Sequence, residues 1–159
     1  MDLRLSNSDR VMLLDDEDAR LIGNRSVWAH RSSGNVTYAF TSIGGRNVPI
    51  HRLIMQPETG FEVDHANGDG LDNRRANLRV CPRRLNAANR GPNKANTSGF
   101  KGVCFDRSRG KYLAGLNVNY RRINLGRFDT AEEAARAYDA AATKAWGEFA
   151  HLNFAEARP

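Results

Sequence analysis

The chain has 159 residues, 40% of them apolar, with 24 basic against 18 acidic side chains and a formal net charge of +6. That length and apolar share suit two or three small modules and exclude one large core. No run approaches the about eighteen apolar residues of a membrane helix, and the opening MDLRLSNSDR lacks the apolar stretch of a secretion signal, so a cytoplasmic protein without a membrane partner is expected.

The positive excess points toward a polyanion, and its placement is informative. Residues 1–55 carry 7 basic and 6 acidic groups, 56–96 carry 7 and 5, and 97–159 carry 10 and 7, so the excess lies in the last two-thirds. Within 101–127 the only acid is Asp106. Cys81 and Cys104 are too few for a four-cysteine zinc site and read as reduced thiols with no assigned chemistry.

In chain order, residues 1–55 read as short strands and turns. SVWAHRSSGNVTYAF is two apolar runs around a Ser-Ser-Gly-Asn turn, a hairpin signal, and HRLIM is a short apolar piece ending before Pro57. The loop in VDHANGDGLDNRRANL, 63–78, crowds Asp, His, Gly and Asn between apolar residues; so many polar groups need partners, and something is held there. LRV at 78–80 reads as a second strand. CPRRLNAANR reads as a short helix with Pro82 at its first position, Leu85 and Ala88 inward, and Asn86 and Asn89 on one face. The Gly-, Pro- and Asn-rich stretch RGPNKANTSG then marks a linker.

The last module is the clearest. KGVCF, KYLAGLNV and RRINLGRF alternate apolar and polar residues and predict a three-stranded antiparallel sheet whose open face displays Lys101, Asn117, Arg122 and Asn124. DTAEEAARAYDAAATKAWG predicts a covering helix, with a capping box from Thr130 to Glu133, a stripe of alanines and a stop at Gly147. Basic and amide side chains on one sheet face are what reading base edges and phosphates in a groove requires.

Residues 98–154 resemble the plant Apetala-two (ethylene-response) DNA-binding domain, on GV at 102–103, GK at 110–111, LGRFDTAEEAARAYDAAA and the closing LNF. In that family the sheet enters the major groove, and the resemblance implies contacts by Lys101, Gly115, Asn117, Arg122 and Asn124, to which the nearby Arg109, Lys111 and Arg121 add charge. Gly115 replaces a usual Glu, Asn117 a usual Arg and Asn124 a usual Trp, so the plant target sequence does not transfer. Asn119-Tyr120 stands where relatives often carry Asn-Gly, a poor fit to a tight primed turn.

For the earlier loop, hydrolysis of a nucleic acid needs a base, a cation and a stabilised leaving oxygen. His65 is the only group in the loop that titrates near neutrality, and Asp64 offers a hard oxygen. The series Asp64, His65, Asn73, Asn77, Asn86 and Asn89 resembles the HNH nuclease motif, in the homing-endonuclease branch with Asn at its third position; VPIHRLIM and segments upstream of it belong to the likeness. The resemblance implies a ββα-metal fold in which His65 is the general base, Asn77 fixes the loop, and Asp64 and Asn86 ligate one Mg²⁺ or Mn²⁺. His51 reads as structural. Arg74, Arg75, Arg83, Arg84, Arg90 and Lys94 are expected to hold the DNA backbone.

The resulting expectation is an α+β protein: a β-rich part over 1–55, the HNH core over 56–90, a linker over 91–97 and the Apetala-two-type domain over 98–154. Its expected activity is site-specific, metal-dependent cleavage of double-stranded DNA, acting as a monomer in a bacterial or phage-infected cell with no small-molecule substrate. A DNA-binding regulator with an inactive nuclease-like part, and an RNA-binding protein, are the alternatives.

Overall fold

The computed structural model describes residues 1–32 and 36–154, and the chain divides into two compact units, Met1–Asn86 and Ala87–Pro159. The architecture is α+β.

In the first unit β1 (Asp2–Leu5) and β2 (Ser8–Leu13) pair antiparallel and lead into the short helix α1 (Ala19–Ile22). A three-stranded antiparallel sheet follows, β3 (Val27–Arg31), β4 (Thr37–Ile43) and β5 (Arg46–Pro49). β3 and β4 are the two arms of the hairpin expected there, paired from Val27–Thr41 to Arg31–Thr37; residues 33–35 of its turn lie outside the described residues.

The piece HRLIM, which no periodicity marked, is helical: α2 spans Ile50–Met55. Ile50 and Ile54, one turn apart, are both buried, Pro49 enters in an extended conformation, and Gln56 ends the helix in the left-handed region at φ 45°. β6 (Phe61–His65) and β7 (Leu78–Pro82) then form an antiparallel hairpin around the polar loop. Pro82 ends β7 opposite Phe61 and does not open the helix; α3 covers only Arg83–Asn86, and Ala87–Asn89 is a 3₁₀ turn. The core draws on β1 to β4, β6, β7 and both α1 and α2, from Leu5, Met12 and Leu14 through Ile22, Val27 and Ala39 to Ile50, Ile54, Val63, Leu71 and Leu78. Burying each leucine or isoleucine contributes about 1.5–3 kcal/mol.

The second unit has β8 (Val103–Asp106), β9 (Lys111–Val118) and β10 (Arg121–Phe128) in the order β10-β9-β8, all antiparallel, with α4 (Ala131–Trp146) across one face. The capping box is formed: Thr130 Oγ1 accepts from Glu133 N and the Glu133 carboxylate accepts from Thr130 N, each at 3.2 Å. Ala134, Ala135 and Ala142 are fully buried, and Tyr138 fills the space between helix and sheet beside Leu116.

Two details depart from the pattern. β8 starts at Val103, two residues later than KGVCF suggests, because Gly102 turns the chain at φ 76°; a Cβ there would lie 2.0 Å from the Tyr138 ring. The β9–β10 connection is the tight two-residue turn that Asn119-Tyr120 disfavours. Val118 pairs with Arg121, and Asn119 and Tyr120 both take positive φ, 50° and 64°.

Candidate active site and nucleic-acid face

The β6–β7 register sorts the candidate residues. Asp64 stands opposite Arg79 and Glu62 opposite Cys81, while Val63 and His65 face the other side of the hairpin. Asp64 is 4% exposed and its carboxylate is bound by the Arg79 guanidinium. Glu62 accepts from Asn86 Nδ2 at 2.6 Å and lies 3.4 Å from Arg83 Nε, so α3 closes the Asp64 side. Cys81 is fully buried on this side, and burial, reinforced by the Asp64 carboxylate, pushes its thiol up to about 11.

On the opposite side His65, 5% exposed, packs edge-on against His51, with ring centroids 5.0 Å apart, and lies 5.7 Å from Tyr38. Burial lowers the pKa of both imidazoles, that of His51 to about 3; for His65, Asn73 and the carboxylates of Asp64, Asp69 and Asp72 oppose the shift. Both rings are therefore neutral near pH 7, the state in which an imidazole accepts a proton.

The chain bends after His65. Asn77 spans the bend: its Oδ1 accepts from Asn67 N at 3.0 Å, its Nδ2 donates to Asp72 O at 2.8 Å, and its carbonyl accepts from Ala66 N at 2.9 Å. Asp69 accepts from Leu71 N, and Leu71 enters the core. Asp72 binds Arg74 through both oxygens at 2.8 Å, so its carboxyl is held below the usual range chiefly by that hydrogen-bonded pair. Leu13 N donates to Leu71 O and Asn73 N donates to Leu13 O, which sews the loop onto β2. Gly70 meets β4 so closely that a Cβ would lie 2.5 Å from Thr37 O and 2.6 Å from the Tyr38 ring. Most polar groups of the loop thus find partners within it, on Leu13 of β2, and on Asp15 and Asp18 ahead of α1.

The structure brings Asp64 and Asn86 to one side of the hairpin and sends His65 to the other. Glu62 and Arg79 share the first side and His51 and Tyr38 the second; Glu62, Arg79 and Tyr38 are neighbours that the motif did not bring forward. Alternation in FEVDH already sets Glu62 beside Asp64, and LRV sets Arg79 across from it; no local signal points to Tyr38.

Arg74 and Arg75, expected on phosphates, are ion-paired: Arg75 binds Asp18 through Nε and Nη2 at 2.8 and 2.7 Å. Arg83 and Arg84 are exposed on α3.

Among the described residues no group of three or more His, Cys, Asp and Glu gathers as a metal cluster. Asp64 and Asn86 nevertheless fit a hard divalent ion, which takes oxygen donors, few of them from protein, and keeps several waters. Zinc would call for imidazole or thiolate; the His65 ring faces the other side of the hairpin, and the Cys81 thiol, buried on the Asp64 side, is kept protonated with its pKa pushed up to about 11.

In the second unit the sheet face away from α4 carries exposed Asn117, Arg122 and Asn124, with Arg121 at its end. Lys101 is not on it. Its ammonium donates to Ala88 O and lies 5.8 Å from the Trp146 ring centre, and burial lowers its pKa to about 8. Arg109 pairs with Asp106 at 3.4 Å and Lys111 with Asp129 at 2.8 Å. Arg90 and Lys94 are exposed on the segment before the sheet.

Residues 48–88 match the family described as HNH endonuclease and residues 98–148 the AP2 domain. The chain carries an HNH endonuclease domain and an AP2 domain. The AP2 part accounts for its similarity to curated proteins. It is 47% identical over 68 residues to dehydration-responsive element-binding protein 2D of Arabidopsis thaliana, covering 42% of this chain and 32% of that protein. It is 43% identical over 65 residues to the AP2-like ethylene-responsive transcription factor TOE2 of Arabidopsis thaliana, covering 41% and 13%. With ethylene-responsive transcription factor ERN1 of Medicago truncatula it shares 37% identity over 86 residues, covering 53% and 32%. The chain thus spans about a third or less of the length of these relatives. No solved structure matches. An HNH domain suggests a nuclease, and an AP2 domain a protein of double-stranded DNA. No helix among the described residues is long and apolar enough to cross a membrane.

Proposed function

We propose that the protein is a site-specific DNA endonuclease of the homing type, which hydrolyses a phosphodiester at the β6–β7 hairpin and holds its target through the AP2 sheet. The observation that carries this reading is that Asp64 and His65 are the last two residues of β6, beside the bend that Asn77 braces, with Asn86 held by Glu62 on the Asp64 side. Because the two side chains leave opposite faces of the strand, His65 reaches a phosphate held on the Asp64 side only around the end of β6, where the chain bends. His65 accepts the proton of the attacking water, and the bond from phosphorus to the leaving oxygen breaks on the Asp64 side. Asp64 and Asn86 would hold one Mg²⁺ or Mn²⁺, which supplies positive charge to the leaving oxygen. Asn77 keeps the bend, and with it the imidazole, in place. Exposed Arg83, Arg84, Arg90 and Lys94 meet the backbone, while Asn117, Arg122 and Asn124 face the bases. We place the protein in the cytoplasm of a bacterial or phage-infected cell, acting as a monomer whose single site nicks one strand.

One observation favours a second reading, a DNA-binding regulator with an inactive HNH domain: Asp64 and His65 are both nearly sealed, and Arg79 already occupies the Asp64 carboxylate. Incubation with its source genome, with and without Mg²⁺ or Mn²⁺, separates the two. The endonuclease reading expects mapped, metal-dependent nicks that His65→Ala reduces by at least about 100-fold, with duplex affinity kept within about twofold. Intact DNA in both metals, from protein that still binds it, would establish the regulator.

A further inference from the structure

The tip of the β9–β10 hairpin carries a residue that nothing in its own unit explains. Tyr120 is the second residue of a two-residue turn and stands at φ 64°, a conformation suited to glycine or asparagine and unfavourable for an aromatic side chain. Its relative exposure is 107%, so among the described residues nothing packs on the ring. Both features favour replacement: the backbone would relax with glycine, and an apolar ring standing in water gains nothing there. A residue unfavourable on two counts within its own fold finds its use in contact with something else.

The surroundings say what. From Asn117 to Asn124 the hairpin carries Arg121 and Arg122 and no acid, and Asn117, Arg122 and Asn124 are exposed along the same two strands. A second copy of this chain, itself at +6, would be repelled by such a tip, whereas a polyanion is attracted. A tyrosine offers a polyanion two things at once, a phenol hydroxyl that donates to a phosphate oxygen and a ring face that packs on sugar.

We propose that Tyr120 is a DNA contact, laid against the sugar–phosphate backbone at the edge of the groove that the β8–β10 face occupies. This rests on the DNA-binding reading given above. The contact is independent of base sequence. It fixes the depth of the sheet on the duplex and adds affinity without adding charge.

The test uses the full chain, a labelled random-sequence duplex a few helical turns long, and a duplex enriched from a random pool by the same protein. Tyr120→Gly relieves the backbone and removes the ring, so it should melt at a higher temperature than the parent and yet bind both duplexes more weakly. The expected loss is about three- to tenfold and equal for the two. The slope of log affinity against log salt should stay unchanged, because no cation is removed; Arg121→Gln should lower it. Tyr120→Phe, which keeps the ring and loses the hydroxyl, should fall between the two. Parent-like affinity in a folded Tyr120→Gly variant overturns the proposal, and so does a parent protein that self-associates where that variant does not. A parent that binds neither duplex overturns the DNA-binding reading and this inference with it, whereas the first two results leave that reading standing.

Discussion

Two hairpins, β6–β7 in the first unit and β9–β10 in the second, carry the candidate chemistry, and they are built in opposite ways. The first hides its functional groups: Asp64, His65, Asp72, Asn73 and Asn77 are all buried, held by hydrogen bonds within the loop and to Leu13 of β2, by the Arg79 guanidinium, and by the rings of Tyr38 on β4 and His51 on α2. The second displays them: Asn117, Arg121, Arg122 and Asn124 stand exposed over a sheet whose other face rests on an alanine stripe. Reactive groups must be oriented to better than an ångström, which favours burial in a polar network. Groups that read a duplex must reach it, which favours an open face on a rigid support. The difference teaches which perturbations each unit resists.

Close approach breaks both. Gly102→Ala drives a methyl into the Tyr138 ring at a left-handed position, and Gly70→Ala drives one into the Thr37 carbonyl and the Tyr38 ring. Each is expected to destabilise its own unit by about 3 kcal/mol, read as loss of one of two transitions in urea unfolding. If both substitutions weaken the same transition, the division into two units fails.

The polar network should matter in the first unit alone. Asn77→Ala removes a partner from Asn67 N and from Asp72 O. It should cost about 2 kcal/mol, and an unchanged urea midpoint for the first transition would show that the loop does not depend on it.

Acid sharpens the contrast. The His51 pKa is depressed by burial from 6.5 to about 3, so the unfolded chain binds a proton that the folded unit does not, and stability is lost as pH falls from 6.5 toward 3. By pH 5 this amounts to about 2 kcal/mol, and His51→Phe, which keeps a ring against Tyr38 and His65, should flatten that limb. In the second unit the Asp106 carboxyl is held down at about 2, chiefly by Ser108 and then by Arg127. Its contribution is complete above 3.8 and is lost as pH falls through about 2. Thermal melts across pH should therefore separate the two units below neutrality. Smallest is the cap: Thr130→Ala should lower the melting temperature of the second unit alone, at a cost of about 1 kcal/mol.

Much of the second unit was legible because its pattern is local. Alternation in KYLAGLNV and RRINLGRF, the box from Thr130 to Glu133 and the Ala131–Ala142 stripe are each local patterns, and the structure follows them except in RRINLGRF, where the register shifts between Asn124 and Gly126 and Ile123 stays 43% exposed. What alternation does not specify is where a strand begins when a neighbouring ring dictates the backbone. Hence β8 starts after Gly102, and Lys101 tucks onto Ala88 and Trp146 in place of joining the open face. Nor does it set the shape of the Asn119-Tyr120 turn, which the pairing of Val118 with Arg121 imposes against the preference of Tyr120. In the first unit HRLIM is too short for its period to identify a helix, and burial of Ile50 and Ile54 in the core decides it.

From its sequence alone this protein has two modules, an α+β makeup, a basic open sheet and one loop dense in Asp, His and Asn, because charge, period and residue type are properties of neighbours along the chain. Tertiary structure alone decided that Asp64 meets Arg79 while His65 meets His51 and Tyr38. It also turned Arg74 and Arg75 onto Asp72 and Asp18, and left Tyr120 standing clear. These pairings join residues up to 57 positions apart, and only folding brings such groups within the few ångströms over which hydrogen bonds and ring contacts act.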